Sequence, residues 1–414
     1  MSEFFSLIKS LPFSVKVLLC CSFLRAVSFF ALIPFWPIFL HEGWKLSQEN
    51  LGLVLGTTFL IAELISLYGG FLADRYDKLW LIIFLDITVV ILYVILMTVG
   101  NLALILLLFV LATSASSSIG VAGNALLTDL LESGLRTKVI SLRYAIQNIG
   151  GAIGPALGAW AALGHSRGPL VVAAITIGLS SLILFITRRS FTVVDAASPA
   201  EKSELNFARA MKVLIQDHSL MLFLAGGILS MTVYGPLLTY LPQYLNTLEF
   251  NASEAYQKVA IVATVNSVIV IALQYYLGGR VTNKHLLAWI NVGTAALIVG
   301  LLGLASSPLL IVWMIAVTIF TLGEIILVPA EYAVIEQLAP KHLRGSYFGA
   351  QNLIYLGLAL GPVLCGLVLA HMIPIAMFFF LICIALISLV FYYLAFRKMR
   401  KQHIDKPIKQ SANI

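Results

Sequence analysis

The chain has 414 residues, 60% of them hydrophobic and 11% charged, against a globular norm of about 45–50% apolar and about 25% charged. Its 26 basic and 19 acidic side chains cannot cover the surface of a soluble domain of this length, and a disordered chain lacks apolar runs from end to end, so both classes are excluded. The net charge of +7 raises nucleic acid as a partner, and the placement of the cations removes it again.

Apolar segments long enough to cross a bilayer, about 20 residues each, fall near 13–40, 47–73, 79–99, 102–128, 139–162, 168–187, 220–245, 255–278, 286–304, 308–333, 346–370 and 373–396. Twelve such runs mean helices, because lipid offers unpaired backbone no water and barrel strands alternate over about ten residues. Lys9 and Lys16 precede the first run, but no small-residue cleavage site follows, so this run reads as a first span and not a removable leader. The expected fold is therefore an all-α membrane protein with twelve transmembrane helices.

Cys20, Cys21, Cys365 and Cys383 all lie in apolar runs and read as small core residues. The seven histidines are scattered over loops and ends, and no Gly-x-x-x-x-Gly-Lys-Ser/Thr segment occurs. No catalytic constellation, metal site or ATP-binding loop is expected. With the N-terminus inside, 22 of the 26 basic residues, Arg143 among them, fall on the cytoplasmic side, and only Lys45, Arg167 and Lys258 fall outside. That asymmetry places both termini in the cytoplasm of a cell inner membrane and accounts for the basic charge without nucleic acid.

The halves echo each other at an offset of 205 to 207 residues: Arg75 matches Arg280, Asp129 matches Glu336, and Gly154-Pro155 matches Gly361-Pro362. The matches occupy equivalent places relative to a span, as expected of a duplicated six-helix unit with substrate bound near the midplane between halves. The domains read as an N-terminal bundle over 1–190, a cytoplasmic linker over 191–218, a C-terminal bundle over 219–396 and a basic tail over 397–414.

The loop after the second span, Gly70 to Lys78 (GFLADRYDK), resembles the signature loop of the major facilitator superfamily, Gly-x-Leu-Ala-Asp-Arg-x-Gly-Arg-Arg/Lys. Asp77 departs from the family glycine. In the fifth span, Gly150, Gly154, Pro155 and Gly158 are similar to the Gly-x-x-x-Gly-Pro-x-x-Gly motif of the drug/proton antiporter branch, which implies export. The arginine that branch carries in its fourth span is missing between Phe109 and Ser118. The resemblance implies two pseudo-symmetric six-helix bundles, with spans 1, 4, 7 and 10 lining the cavity, 2, 5, 8 and 11 at its sides, and 3, 6, 9 and 12 outside.

Within the signature loop, Gly70, Asp74, Arg75 and Lys78, with Asp129 and Arg136 near the end of the fourth span, read as a conformational latch in which Arg75 reaches Asp129. The Gly150, Gly154 and Gly158 column lies on one helix face and lets a neighbouring backbone approach, while Pro155 removes a backbone bond and allows a bend, as a gate helix needs.

Four charges lie deep in spans: Arg25, Glu63, Asp86 and Glu324 stand about 8 to 12 residues from their cytoplasmic ends, roughly 12 to 18 Å at 1.5 Å per residue. Each costs at least about 2.5 to 3.5 kcal/mol there, so such groups face a partner or a water-filled path. One cation cannot neutralise three acids, so one of them is protonated or matched by substrate or hydrogen bonds. Arg25 and Glu324 are ranked first as cavity residues and Glu63 next, while Asp86 reads as a structural acid. For Arg25 and Glu63 a static salt bridge is the plain alternative, and Glu331 belongs either to the cavity mouth or to solvent. Gln147, Asn148, Tyr234, Tyr240, Asn266, Gln351 and Asn352 are further polar candidates.

The expected activity is secondary transport by alternating access, a proton-coupled antiporter exporting small amphipathic molecules, as in multidrug efflux. The alternative is a carrier of a specific anionic metabolite or siderophore, with Arg25 binding a carboxylate. Partners are then a small-molecule substrate, protons and the bilayer, with the carrier acting as a monomer. The energy source is a proton gradient, without a cofactor.

Overall fold

The computed structural model describes residues 9–32, 35–45, 48–164, 167–191, 206–235, 252–282 and 284–411, with 237, 241, 244, 245 and 248. Tyr240 and residues 192–205 of the linker expected over 191–218 lie outside the described residues. Every described element is helical, in keeping with an interior where each backbone group finds its partner within its own segment. The main helices are α1 (Phe13–Leu32), α2 (Phe35–Trp44), α3 (Gln48–Arg75), α4 (Lys78–Leu96), α5 (Leu102–Asp129), α6 (Ser133–Gly164), α7 (Gly168–Thr187), α8 (Phe207–Gln216) and α9 (His218–Tyr234). They continue as α10 (Ala252–Leu273), α11 (Leu286–Ser306), α12 (Leu310–Leu338), α13 (Arg344–Asn352), α14 (Leu356–His371) and α15 (Ala376–Ser411).

Among the described residues, ten helical stretches are long and apolar enough to cross a bilayer. Two further spans expected from the sequence are helical without meeting that measure. Helix α9 has 17 residues and meets the amphipathic α8 at 78°. Helix α6 has 32 residues, and Arg136, Lys138 and Arg143 dilute its first part.

The span expected over 13–40 falls on α1 and α2, with residues 33 and 34 outside the described residues. The span expected over 346–370 divides at a 3-10 turn, Leu353–Tyr355, between α13 and α14. Asp77 caps α4 by accepting a bond from the Trp80 backbone N–H at 3.0 Å, so the departure from the family glycine supplies a helix start that glycine could not bond.

The chain forms two compact units: Met1–Phe207 with Gln274–Gly279 and Ala339–Asn352, and Ala208–Leu273 with Arg280–Leu338 and Leu353–Ile414. Within the first, α1 packs on α6 and α7, α3 on α5, and α4 on α5 and α7. Within the second, α9 packs on α14 and α15, α10 on α12, and α11 on α12 and α15. The same five pairings recur in the same chain order, which is the duplication expected from the sequence expressed as packing. Many large apolar side chains point outward along these helices, including Phe84, Trp160, Ile186, Ile311 and Val363, as a lipid-facing surface requires.

Candidate functional site

The signature loop forms a cluster within the first unit. Asp74 is buried at the end of α3, where its Oδ1 accepts a bond from the Gly345 N–H at 2.6 Å. Its Oδ2 accepts from the Ser346 N–H at 2.7 Å and the Ser346 hydroxyl at 2.6 Å. A carboxylate at the first turn of α13 thus satisfies helix N–H groups that have no partner inside the helix and sits at the positive end of its dipole. Close approach is what the glycines permit: a Cβ on Gly345 would lie 2.5 Å from the Gly70 carbonyl oxygen, and one on Gly70 would collide with the Gly345 carbonyl. Asp129, buried at the end of α5, is held by Lys78 at 2.9 Å and by Arg344 at 3.1 Å.

This corrects the expected wiring of the latch. Arg75 is exposed and lies over the ring of Tyr76 at 5.9 Å, while the cations on Asp129 are Lys78 and Arg344. Arg75 is the last residue of its helix and its side chain leaves the packed face that carries Asp74. Arg136 is buried and donates to the Leu131 carbonyl at 3.0 Å, tying the turn between α5 and α6.

The glycine column of α6 lies against α1. A Cβ on Gly150 would stand 2.6 Å from the Ala26 Cβ, one on Gly154 2.9 Å from the Phe30 Cβ, and one on Gly158 2.5 Å from the Ala31 carbonyl oxygen. Pro155, inside the same helix, is half-buried. The second unit repeats the contact, with Gly357 of α14 placed so that a Cβ would lie 2.5 Å from the Ile228 carbonyl oxygen of α9.

The charges inside spans separate into paired and hydroxyl-bound groups. Arg25 meets Asp86 through two bonds, Nε to Oδ1 at 3.2 Å and Nη2 to Oδ2 at 2.7 Å, and the Ser180 hydroxyl adds a third contact on Asp86 at 3.3 Å. The cation's partner is therefore Asp86 and not Glu63. Glu63, half-buried on α3, accepts from the Ser117 hydroxyl at 3.0 Å, and Ser117 in turn accepts from the Asn352 side-chain amide at 3.2 Å.

In the second unit, Glu331 is buried between two tyrosines, accepting from Tyr392 at 2.6 Å and Tyr234 at 3.3 Å. The option of a solvated Glu331 is thereby excluded. Glu324, half-buried on α12, accepts from the Asn266 side-chain amide at 3.2 Å, and that amide also donates to the Thr321 hydroxyl at 2.9 Å. Glu324 stands 207 residues after Ser117, the offset of the repeat, so the two units place acid and polar partner on opposite members of equivalent helix pairs. Gln147 is half-buried on α6.

Sequence reasoning missed Arg143. It was counted among the cytoplasmic-side cations at the edge of the span expected over 139–162, yet it lies ten residues into α6, its Nη1 bonds to the Asn124 side-chain oxygen, and it lines a small cavity with Arg25, Ser22, Leu18, Leu19, Gly123 and Leu127. The available signal was helix length: extending the fifth span back to Ser133 puts Arg143 about 15 Å from its start at 1.5 Å per residue.

A family model described as the Major Facilitator Superfamily matches residues 18–355. The uncharacterized MFS-type transporter YdeE of Escherichia coli (strain K12) is 31% identical over 400 residues, covering 96% of this chain and 98% of that protein. A protein of Planococcus maritimus named Na(+), Li(+), K(+)/H(+) antiporter is 25% identical over 380 residues, covering 84% of this chain and 88% of that one. Among solved structures, the transporter FucP in its outward conformation overlaps with a TM-score of 0.72 at 17% identity, over 93% of this chain and 98% of that one. Matching by family model, relative and fold alike, the chain belongs to the Major Facilitator Superfamily and is a multi-pass secondary transporter, not an enzyme.

Proposed function

We propose that the chain is a proton-coupled antiporter that exports small amphipathic molecules across a cell inner membrane, with both termini in the cytoplasm. The observation that carries this reading is the division of the buried acids. Asp86 and Asp129 each meet cations, and Asp74 meets three hydrogen-bond donors. The Glu63 and Glu331 carboxylates, by contrast, accept bonds from hydroxyl groups, Ser117 for the first and Tyr234 and Tyr392 for the second.

A carboxyl that is desolvated and answered only by neutral donors favours its protonated form and exchanges that proton when water reaches it. Glu63 and Glu331, one in each unit, are thus the proton-carrying groups. Glu324 and Gln147 belong to the substrate path. Alternating access exposes each acid to one side of the membrane and then the other, so proton entry drives substrate exit. The glycine contact between α6 and α1 flexes at Pro155, and the Asp74 and Asp129 cluster fixes one arrangement of the cytoplasmic helix ends until it parts. The Planococcus maritimus relative, named for antiport against protons, supports the same coupling.

The reading of Arg25 as the carboxylate anchor of a specific metabolite carrier loses ground, because Asp86 already occupies two donors of that guanidinium. The test is decay of a pH gradient in everted membrane vesicles, followed with acridine orange as ethidium or octanoate is added. The proposal expects faster decay with the protein present and none of that gain in Glu331→Gln. Decay as slow as in vesicles lacking the protein overturns it.

A further inference from the structure

Helix α8 has no part in the proton chemistry above. It meets α9 at 78°, so with α9 crossing the bilayer it runs nearly along the membrane plane. Ala210 and Leu214, four residues apart on one face, are buried, while Arg209, Lys212 and Gln216 share the opposite face and are exposed. On the two flanks stand Ile215, 63% exposed, and Val213, also exposed. Cations on the polar face with bare aliphatic side chains beside them are the pattern of a helix that rests in the head-group boundary of a bilayer.

The level of α8 follows from packing inside the second unit. The rings of Phe223 in α9 and Tyr392 in α15 are 5.3 Å apart, and a Cβ on Gly226 would lie 3.2 Å from the Ser388 carbonyl oxygen, so the two helices run antiparallel. Seven residues from the ring contact lie Gln216 on one side and Met399 on the other, about 10 Å along each helix at 1.5 Å per residue. The last turn of α8 is therefore level with Arg397, Lys398 and Arg400, all exposed. Asp217, the acid between α8 and α9, caps α9 by accepting from the Ser219 and Leu220 N–H groups at 3.0 and 3.2 Å. An acidic protein surface would answer the cations and leave Ile215 bare, whereas a bilayer containing anionic lipid answers both.

We propose that α8 and the basic end of α15 form a binding surface for anionic phospholipid, with Arg209 and Lys212 meeting the phosphates and Ile215 the acyl chains beneath. The inference takes from the proposed function only that this end is cytoplasmic. Its test does not depend even on that, because a nanodisc carries the same lipids in both leaflets.

The experiment compares the full chain in nanodiscs of phosphatidylcholine alone and with rising shares of phosphatidylglycerol, and reads hydrogen exchange of the amides over 207–216. Phosphatidylglycerol should slow that exchange saturably, by at least about threefold, and the slowing should fade in about 1 M salt, where screening reaches down to about 3 Å. Arg209→Gln with Lys212→Gln should remove most of the slowing, while unchanged exchange over α9 shows that the bundle remains folded. Ile215→Ser should speed exchange of α8 in both lipids, since its contact needs no charge. Arg188→Gln with Arg189→Gln, cations at the end of α7, should leave the slowing intact. Absence of slowing by phosphatidylglycerol overturns the surface, as does equal loss in the Arg188/Arg189 pair, which would reduce it to general surface charge. Equal slowing by polyglutamate in phosphatidylcholine nanodiscs would make an acidic polypeptide the partner and overturn the lipid assignment. Transport that proves independent of pH would sink the antiport reading without altering these exchange rates.

Discussion

Replacing Asp74 with asparagine probes the latch at the atom where it is tightest. The carboxylate accepts three bonds at 2.6 to 2.7 Å, one on Oδ1 from Gly345 and two on Oδ2 from Ser346. An asparagine keeps one oxygen and turns the other acceptor into a donor that faces a donor, so at least one bond to a charged group is lost, about 1.5–3 kcal/mol. The negative charge at the first turn of α13 is lost as well, about 0.3–2 kcal/mol. Together they cost about 2–5 kcal/mol, or about 30-fold to about 4,000-fold in the local opening equilibrium.

Hydrogen exchange of the amides over 346–352, measured in nanodiscs, should accelerate by a factor in that range, since exchange from a protected helix tracks its opening. Arg75→Gln should leave the same amides unchanged, because Arg75 is exposed and stands apart from Asp129 and Asp74. Exchange in Asp74→Asn within twofold of wild type would refute the reasoning, and acceleration in Arg75→Gln would restore Arg75 to the latch.

Further variants test the packing, pairing and capping. Arg25→Met alone leaves Asp86 buried without its cation and should cost about 3–5 kcal/mol; Arg25→Met with Asp86→Leu should recover most of it in thermal unfolding. Gly154→Val presses against α1, where even a Cβ would lie 2.9 Å from Phe30, and should cost about 1–3 kcal/mol or slow transport. Gly120→Ala, with nothing within 4 Å of its Cβ, should instead stabilise by about 0.5–1 kcal/mol. Asp77→Ala removes the α4 cap and should cost about 0.5–2 kcal/mol.

Span positions were legible in the sequence because lipid imposes a length and an apolar composition that few other environments demand. The break inside a span at Leu353–Tyr355 was less so, since nothing in the composition around it announces a turn. Which charges meet was mostly hidden: Arg25 and Asp86 are 61 residues apart, and their contact depends on how two helices are rotated about their axes, which periodicity in a uniformly apolar helix does not report. Asp74 and its donors at Gly345 and Ser346 are separated by 271 and 272 residues, and hydropathy marks where each span ends without reporting which ends meet. Arg143 was counted with the cytoplasmic cations because it falls near the edge of the expected span, although its helix begins ten residues earlier.

Coupling by a buried carboxyl is tested most directly by uphill accumulation in proteoliposomes under an imposed pH gradient, using radiolabelled octanoate or tetraphenylphosphonium, whichever the wild type carries. Glu331→Gln should keep substrate exchange at equal pH on both sides and lose accumulation driven by the gradient. Accumulation in Glu331→Gln and in Glu63→Gln equal to that of the wild type would contradict the account.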